Sequence, residues 1–335
     1  MKNLIVFLGP TAVGKTAFAL QVAEFLNAPI LSADSRQIFR DIPVCTAAPT
    51  AEEQARVKHC FVGTKDLDET YSAAQFETDV LQYIEQSPEQ NFILCGGSMM
   101  YIDAVCKGID DMPQADPEIR AALRAQFESE GLEPLLQQLK KLDPEYFSKV
   151  DTKNPQRVIH GLEMCLTTGQ PFSTFRTGHP KARPFNIFKI GILCPRAELY
   201  LRIELRVKKM IENGLEAETR KVYDRYADSL HRQLAGVIRN PSPTQAQPIP
   251  NLLPVSLNTV GLKEMLLYYE GIYTRERALE RIVHNSRIYA KKQMTWFMRD
   301  DSIRWFEAFE RQGFLISLKA GDLATKGIEN MLKNI

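Results

Sequence analysis

The sequence predicts an α/β protein: a parallel sheet flanked by helices, with a helical insertion. Three observations predict it. An unbroken apolar run, Leu4–Leu8, leads directly into a glycine-rich loop and then a helical pattern. Further strand-like and helix-like segments alternate through residue 95. From about 112 to 186 the pattern is helical with no convincing strand, and strand character returns at 187–194.

Each element has its own reason. Leu4–Leu8 lacks polar alternation, as expected for a strand buried on both faces. Thr16–Leu26 is helical, with Phe18, Val22, Phe25 and Leu26 expected on one side. Pro29–Ser32 reads as a second short strand. Ser72 is suited to cap a helix running to about Gln86. Phe92–Cys95 is another buried strand, and strand–helix–strand order implies right-handed crossovers. Asp116-Pro117 opens a helix with a capping residue and a proline at its first position, and Gly131 stops it. Asn154-Pro155 opens another, ending near Gly169. Helices are expected to dominate from 196 onward, with a long basic and aromatic one over Arg275–Met298. Residues 240–254 carry five prolines and read as an irregular connector. The expected organisation is a core of 1–111 and 187–335 interrupted by a helical domain at 112–186.

Composition sets limits. The 335 residues are 44% hydrophobic and 25% charged, which excludes global disorder. Forty-two Lys and Arg balance 41 Asp and Glu, for a net charge of +1. Nucleic-acid binding therefore requires a local basic patch. The apolar runs fall short of the roughly 20 residues that span a bilayer. No long apolar region precedes the first glycine, which argues against a signal peptide. The six cysteines form no C-x-x-C and the five histidines no H-E-x-x-H. Neither a zinc site nor a disulfide framework is expected, and a reducing cytoplasm is the simplest setting.

The sharpest motif is Gly9-Pro10-Thr11-Ala12-Val13-Gly14-Lys15-Thr16, which matches G-x-x-x-x-G-K-[ST] in full. It lies between a strand and a helix, as a phosphate loop must, and makes the predicted sheet P-loop NTPase-like. Glycines let backbone N–H groups curl around phosphate oxygens, and the helix N-terminus adds partial positive charge. Lys15 would neutralise phosphate, and the Thr16 hydroxyl would hold Mg²⁺. The bland alternative is a glycine turn without a ligand. The motif denotes polyphosphate, not ATP in particular. A kinase, an NTPase or a transferase releasing diphosphate would all suit it.

Asp34 follows the second strand, in Ser32-Ala33-Asp34-Ser35-Arg36-Gln37. Strand ends in a parallel sheet open onto the ligand crevice, so Asp34 should lie beside the phosphate loop. A carboxylate there can accept a proton from a nucleophile or hold Mg²⁺ through water; the plain reading is a loop acid or helix cap.

Several segments, in order, resemble the tRNA dimethylallyltransferase (tRNA isopentenyltransferase) family. They are G-P-T-A-V-G-K-T at 9–16, S-A-D-S-R-Q at 32–37, C-T-A-A-P-T at 45–50, Y-S-A-A-Q-F at 71–76, G-G-S-M-M-Y at 96–101, N-P-Q-R at 154–157 and S-R-I-Y-A-K-K-Q-M-T-W at 286–296. Only the first is specific alone; the ordered set over residues 4–306 is highly specific. The resemblance implies transfer of a dimethylallyl group from dimethylallyl diphosphate to N6 of the adenosine 3′ of the tRNA anticodon. The loop Gly9–Thr16 would then hold the diphosphate with Arg206, and Asp34 would be the general base. Lys15, Thr16 and Ser98 join Asp34 in the implied catalytic set, Ser98 standing near the acceptor adenosine. The resemblance assigns tRNA contact to Asp34, Ser35, Arg36, Gln37, Ser98 and Arg120. It extends that role to Gln156, Arg157, Val158, Ile159 and His160, and to Gly261, Lys263, Arg287 and Lys291. Plain readings stand beside these. Gly96-Gly97-Ser98 is also a strand-to-helix turn, Arg206 and Arg157 are also ordinary helix charges, and the aromatic residues of 281–299 also suit a core with cations on its solvated face.

The chain departs from the family pattern at Cys45 (usually Gly), Ala48 (Lys), His160 (Arg), Leu262 (Tyr) and Lys292 (Arg). These departures weaken expected RNA contacts and leave Asp34, Lys15 and Thr16 intact. The expectation is an active, monomeric, Mg²⁺-dependent prenyltransferase of tRNA. Alternatives are a P-loop nucleoside or nucleotide kinase with a helical lid, a catalytically impaired tRNA-binding paralogue, and a prenyltransferase of free adenine nucleotides.

Overall fold

A computed structural model describes residues 1–113, 116–238 and 256–308. The proline-rich segment 240–254 lies outside them. The chain forms two compact units, Met1–Cys106 with Arg183–Ile335, and Lys107–Ala182.

Among the described residues, the first unit is built on six strands: β1 (Lys2–Leu8), β2 (Ile30–Ser32), β3 (His59–Cys60), β4 (Asn91–Cys95), β5 (Phe185–Leu193) and β6 (Ile303–Glu307). Their order is β3-β2-β4-β1-β5-β6, and every neighbouring pair is parallel. β1 lies between β4 and β5, with Ile5 opposite both Ile93 and Phe188. Leu4–Leu8 is buried throughout, which is why its sequence shows no alternation. The two edge strands fall outside the sequence expectation. β3 is two residues long, and β6 lies in a region whose pattern is otherwise helical. Gly191 of β5 accommodates β6: a Cβ there would stand 2.3 Å from Cε3 of Trp305.

Helix α1 (Lys15–Leu26) ends at Asn27, left-handed at φ 47°. Its buried face is Phe18, Ala19, Leu20, Val22 and Ala23. Phe25, expected on that face, is 42% exposed. Then come α2 (Pro43–Thr46), α3 (Ala51–Arg56), α4 (Ala73–Gln86) and α5 (Met99–Lys107). Ser72 caps α4 by accepting from Gln75 N.

The unit Lys107–Ala182 is helical: α6 (Pro117–Glu130), α7 (Glu133–Leu142), α8 (Pro144–Lys149) and α9 (Pro155–Thr168). Asp116, Asp143 and Asn154 cap α6, α8 and α9, each followed by proline. Its core includes Leu123, Leu135, Leu139, Tyr146, Val158 and Leu162.

After β5 the first unit continues with α10 (Arg196–Glu212), α11 (Leu215–Ile238), α12 (Leu262–Tyr269) and α13 (Arg275–Phe297). These helices share a second core with Ile38 and Ile42 of the loop after β2. The packing sets α10 and α13 beside the strand ends that carry the loops described next.

Candidate active site

The loops after β1, β2 and β4 meet at one edge of the sheet because their strands run parallel. The phosphate loop needs its glycines. Gly9 has φ +141°, and a Cβ there would lie 2.6 Å from the Ile192 carbonyl oxygen. Gly14 at φ 98° caps α1. Ala12 adopts φ 65°, a left-handed conformation that L-residues rarely hold.

Lys15 is buried and donates from Nζ to the Pro10 carbonyl, 2.9 Å away. Burial pushes its ammonium down to about 8, and nearby Arg206 pushes the same way. Thr16 is exposed and borders the same cleft. On the Asp34 loop, the Oδ1 oxygen accepts from the N–H of Arg36 at 2.9 Å and of Gln37 at 3.4 Å. Gly96 lets the β4 turn cross this loop: a Cβ there would be 2.1 Å from the Ala33 carbonyl oxygen.

Two clefts meet here. The first, about 600 Å³, is bordered by Lys15, Thr16, Asp34, Gln37, His59 and Arg206. The second, about 1000 Å³, has a polar side that includes Ser35, Arg36, Asn258 and Ser286. Its apolar side includes Ile203, Val207, Met210 and Ile282. Thr11, Asp34, Arg206 and Tyr289 border both. Arg206 donates to the Thr46 carbonyl at 3.1 Å. Burial lowers its pKa, and the Asp34 carboxylate opposes that shift. Burial lowers Arg36 in the same way.

The expected residues therefore divide. Lys15, Thr16, Asp34, Gln37 and Arg206 converge on one cleft, and Ser35 and Arg36 border its neighbour. Ser98 is buried, and its hydroxyl is committed to Ser35: it accepts from Ser35 N at 2.8 Å and donates to Ser35 Oγ at 3.0 Å. These bonds tie it to the acid loop. Val158 and Ile159 pack into the core of the helical unit. Gly261 is buried against Cys45 Sγ, which would lie 2.7 Å from a Cβ at that position. Leu262 is fully buried, so an exposed stacking residue is not what this position provides. Arg120 pairs with buried Glu163 at 2.6 Å. Arg287 pairs with Glu204 and lies over the Tyr200 ring. Gln156, Arg157, His160, Lys291 and Lys292 are exposed. Lys263, Arg281 and Lys292 border a third cleft of about 870 Å³ between α12 and α13. The aromatic residues of α13 split as well. Phe297 is core, and Trp296 donates from Nε1 to Asp103 at 2.7 Å.

Sequence reading missed three contacts. Arg202 donates to the Val13 carbonyl at 2.9 Å, steadying the phosphate loop from α10. His59 donates from one ring nitrogen to Val57 O, and its buried Nε2 meets no hydrogen-bond partner among the described residues. Gln293 ties Thr11 to Gly97. Gln293 left a readable signal: it interrupts the stripe Ala278, Ile282, Ala290 and Phe297 with a buried amide.

Comparison with known proteins agrees with this architecture. The family model for IPP transferase matches residues 37–300. tRNA dimethylallyltransferase 2 of Porphyromonas gingivalis is 49% identical over 318 residues, covering 94% of this chain and 97% of its own. tRNA dimethylallyltransferase 1 of Bacteroides fragilis is 48% identical over 321 residues, covering 95% and 98%. The crystal structure of the full-length tRNA isopentenylpyrophosphate transferase from Bacillus halodurans superposes with a TM-score of 0.65 at 30% identity, over 99% of each chain. A eukaryotic dimethylallyltransferase acting on tRNA shares the fold, with a TM-score of 0.77 at 22% identity over 98% of this chain and 80% of its own. With a phosphate loop set in a parallel sheet, relatives matched over nearly their full length and the family model spanning residues 37–300, the chain belongs to the IPP transferase family.

Proposed function

We propose that this protein transfers a dimethylallyl group from dimethylallyl diphosphate to N6 of the adenosine 3′-adjacent to the anticodon of tRNA, releasing diphosphate. One observation carries the assignment of roles. Asp34 stands on the wall shared by two clefts, one bordered by the phosphate loop and the other half apolar and half polar. That is what a reaction joining an allylic diphosphate to a nucleobase requires.

The diphosphate lies on Gly9–Thr16, with Lys15 and Arg206 countering its charge. The dimethylallyl group extends along Ile203, Val207 and Met210, whose spacing puts them on one face of α10. The adenine takes the polar side of the second cleft, having left its stack to reach it. N6 forms a bond to the allylic carbon as the carbon–oxygen bond to diphosphate breaks. Asp34 takes the N6 proton and the diphosphate leaves with the bonding pair. Ser98 acts by holding Ser35 and hence the acid loop.

Among the described residues no group of three His, Cys, Asp or Glu side chains could hold a metal. A cation held chiefly by substrate oxygens still fits, because Mg²⁺ usually takes few protein ligands beside phosphate and water. Thr16, exposed on the diphosphate cleft, is the residue to hold it, and Mg²⁺ would supply charge neutralisation for the departing diphosphate.

For the tRNA itself, we assign contact to Lys263, Lys291 and Lys292 in the first unit and to Gln156, Arg157 and His160 in the helical unit. No helix among the described residues is long and apolar enough to cross a membrane. Action as a monomer in the cytoplasm is part of this reading.

The test is direct. Protein, Mg²⁺, dimethylallyl diphosphate and an anticodon stem–loop are incubated, and the digested RNA is analysed by mass spectrometry. A five-carbon addition to adenosine that disappears in Asp34→Ala is the expected result. Turnover of ATP with no RNA product would overturn the reading in favour of a kinase.

A further inference from the structure

Gln293 is 1% exposed, yet it carries an amide in the buried stripe of α13. Both ends of that amide are used. Oε1 accepts from Thr11 N at 2.7 Å, and Nε2 donates to the Gly97 carbonyl at 2.9 Å. The first contact reaches further than one bond. Thr11 N–H belongs to the same peptide unit as the Pro10 carbonyl, and the two point in opposite directions across a planar peptide. That carbonyl is the acceptor for Lys15 Nζ at 2.9 Å. Gln293 therefore fixes, from behind, the peptide that holds the phosphate-binding lysine in front.

The second contact leads to the base. Gly97 precedes Ser98, whose N–H donates to the Ala33 carbonyl at 3.0 Å and whose hydroxyl engages Ser35. Ala33 and Ser35 flank Asp34. Tyr289, one turn earlier on α13, also donates to Gly97 O, at 2.8 Å. The fit is close: a Cβ on Gly97 would come within 2.6 Å of Gln293 Nε2.

We propose that Gln293 is a positioning residue: its single buried amide sets the spacing between the phosphate loop and the Asp34 loop, and so between the leaving group and the base. The inference rests on the function proposed above for what those two loops hold. It explains why a polar side chain occupies a core position that an apolar residue would fill without needing partners. Gln293 borders the first cleft, and both ends of its amide are spent on Thr11 and Gly97, through which it acts.

The test separates its two ends. Gln293→Met keeps the length and removes both hydrogen bonds, Gln293→Asn keeps an amide too short to span both partners, and Tyr289→Phe removes the parallel bond to Gly97 while leaving Gln293 and its link to Thr11 in place. Inorganic pyrophosphate with Mg²⁺, titrated by calorimetry, reads the phosphate loop without needing turnover. In Gln293→Met and Gln293→Asn the expected result is about tenfold weaker pyrophosphate binding, with a matching rise in donor KM and tRNA KM within about twofold of the parent. In Tyr289→Phe pyrophosphate affinity is expected to hold while kcat falls about threefold. Unchanged pyrophosphate affinity in Gln293→Asn, whatever its melting temperature, would overturn the proposal and leave Gln293 a packing residue. A rise in tRNA KM with unchanged pyrophosphate affinity would also overturn it. A parent protein that binds pyrophosphate but prenylates no RNA would sink the proposed function, and the pyrophosphate series would still decide the role of Gln293.

Discussion

The phosphate-loop unit and the helical unit treat their polar residues in opposite ways. In the first, polar groups are tied across distant parts of the chain: Thr11 to Gln293, Val13 to Arg202, Thr46 to Arg206. In the second they are tied within one small bundle. Arg120 meets Glu163, and buried Asp143 accepts from Tyr146 N and from Ser173. Long-range ties hold loops in a shape they would not keep alone, as a ligand site requires. Ties within one bundle complete a fold. Residues singled out by a motif with a mechanism came together in the first unit. Residues assigned by resemblance in the second divided between surface and interior.

The largest expected effect sharpens the first half of this contrast. Asp34→Asn keeps an oxygen for the N–H groups of Arg36 and Gln37 but cannot take a proton. Turnover, measured by RNA mass spectrometry, should fall about 1000-fold with pyrophosphate affinity little changed. An equal loss of both would mean that Asp34 shapes the cleft and is not the base.

Next is pH. Burial has brought Lys15 down to about 8, so its charge is present below that pH and lost above it. Measured as a ratio to Lys15→Met, which removes the ligand's own titration, pyrophosphate affinity should hold below about pH 8 and then fall about tenfold per unit. A ratio that stays level through about pH 9.5 would show that the ammonium does not carry the binding.

Arg120 tests the second half. Arg120→Ala leaves Glu163 buried without its cation and should cost about 2 kcal/mol in thermal unfolding, part of it recovered by adding Glu163→Gln. Lower RNA affinity with unchanged unfolding would break the comparison, because a bundle contact would then be an RNA contact. The smallest effect belongs to exposed Arg157. Arg157→Ala should weaken RNA binding only a few-fold, lower the salt-dependence slope by about one and leave unfolding unchanged.

Much of the sheet was legible because its central strands are buried on both faces, so Leu4–Leu8 and Phe92–Cys95 show uninterrupted apolar runs. Helix starts were legible where Ser72, Asp116 and Asn154 supply local capping chemistry. The edges were not. His59–Cys60 is too short to show a period, and Ile303–Glu307 mixes charge with aromatic residues because only part of it is covered. Phe25 fitted the helical period, yet it lies beyond the reach of the core. Within the site, Lys15, Thr16 and Asp34 could be read because loop chemistry needs those residue types at that spacing. Arg202 and Gln293 could not be paired with their partners, since those contacts join residues 189 and 282 positions apart. Ser98 carried the right identity for a site hydroxyl, but its direction is settled by Ser35, which only the packed loops reveal.

The parallel sheet also leaves a quiet end. The chain enters β1, β2 and β4 at Lys2, Ile30 and Asn91, opposite the edge where the loops gather. Gln90 is exposed there, just before β4. A dye or surface tether attached through Gln90→Cys would sit at the far end of the strands from both clefts. Four of the six native thiols are buried and would compete little for labelling. The fold thus offers a built-in handle for watching single molecules capture RNA while the working edge stays untouched.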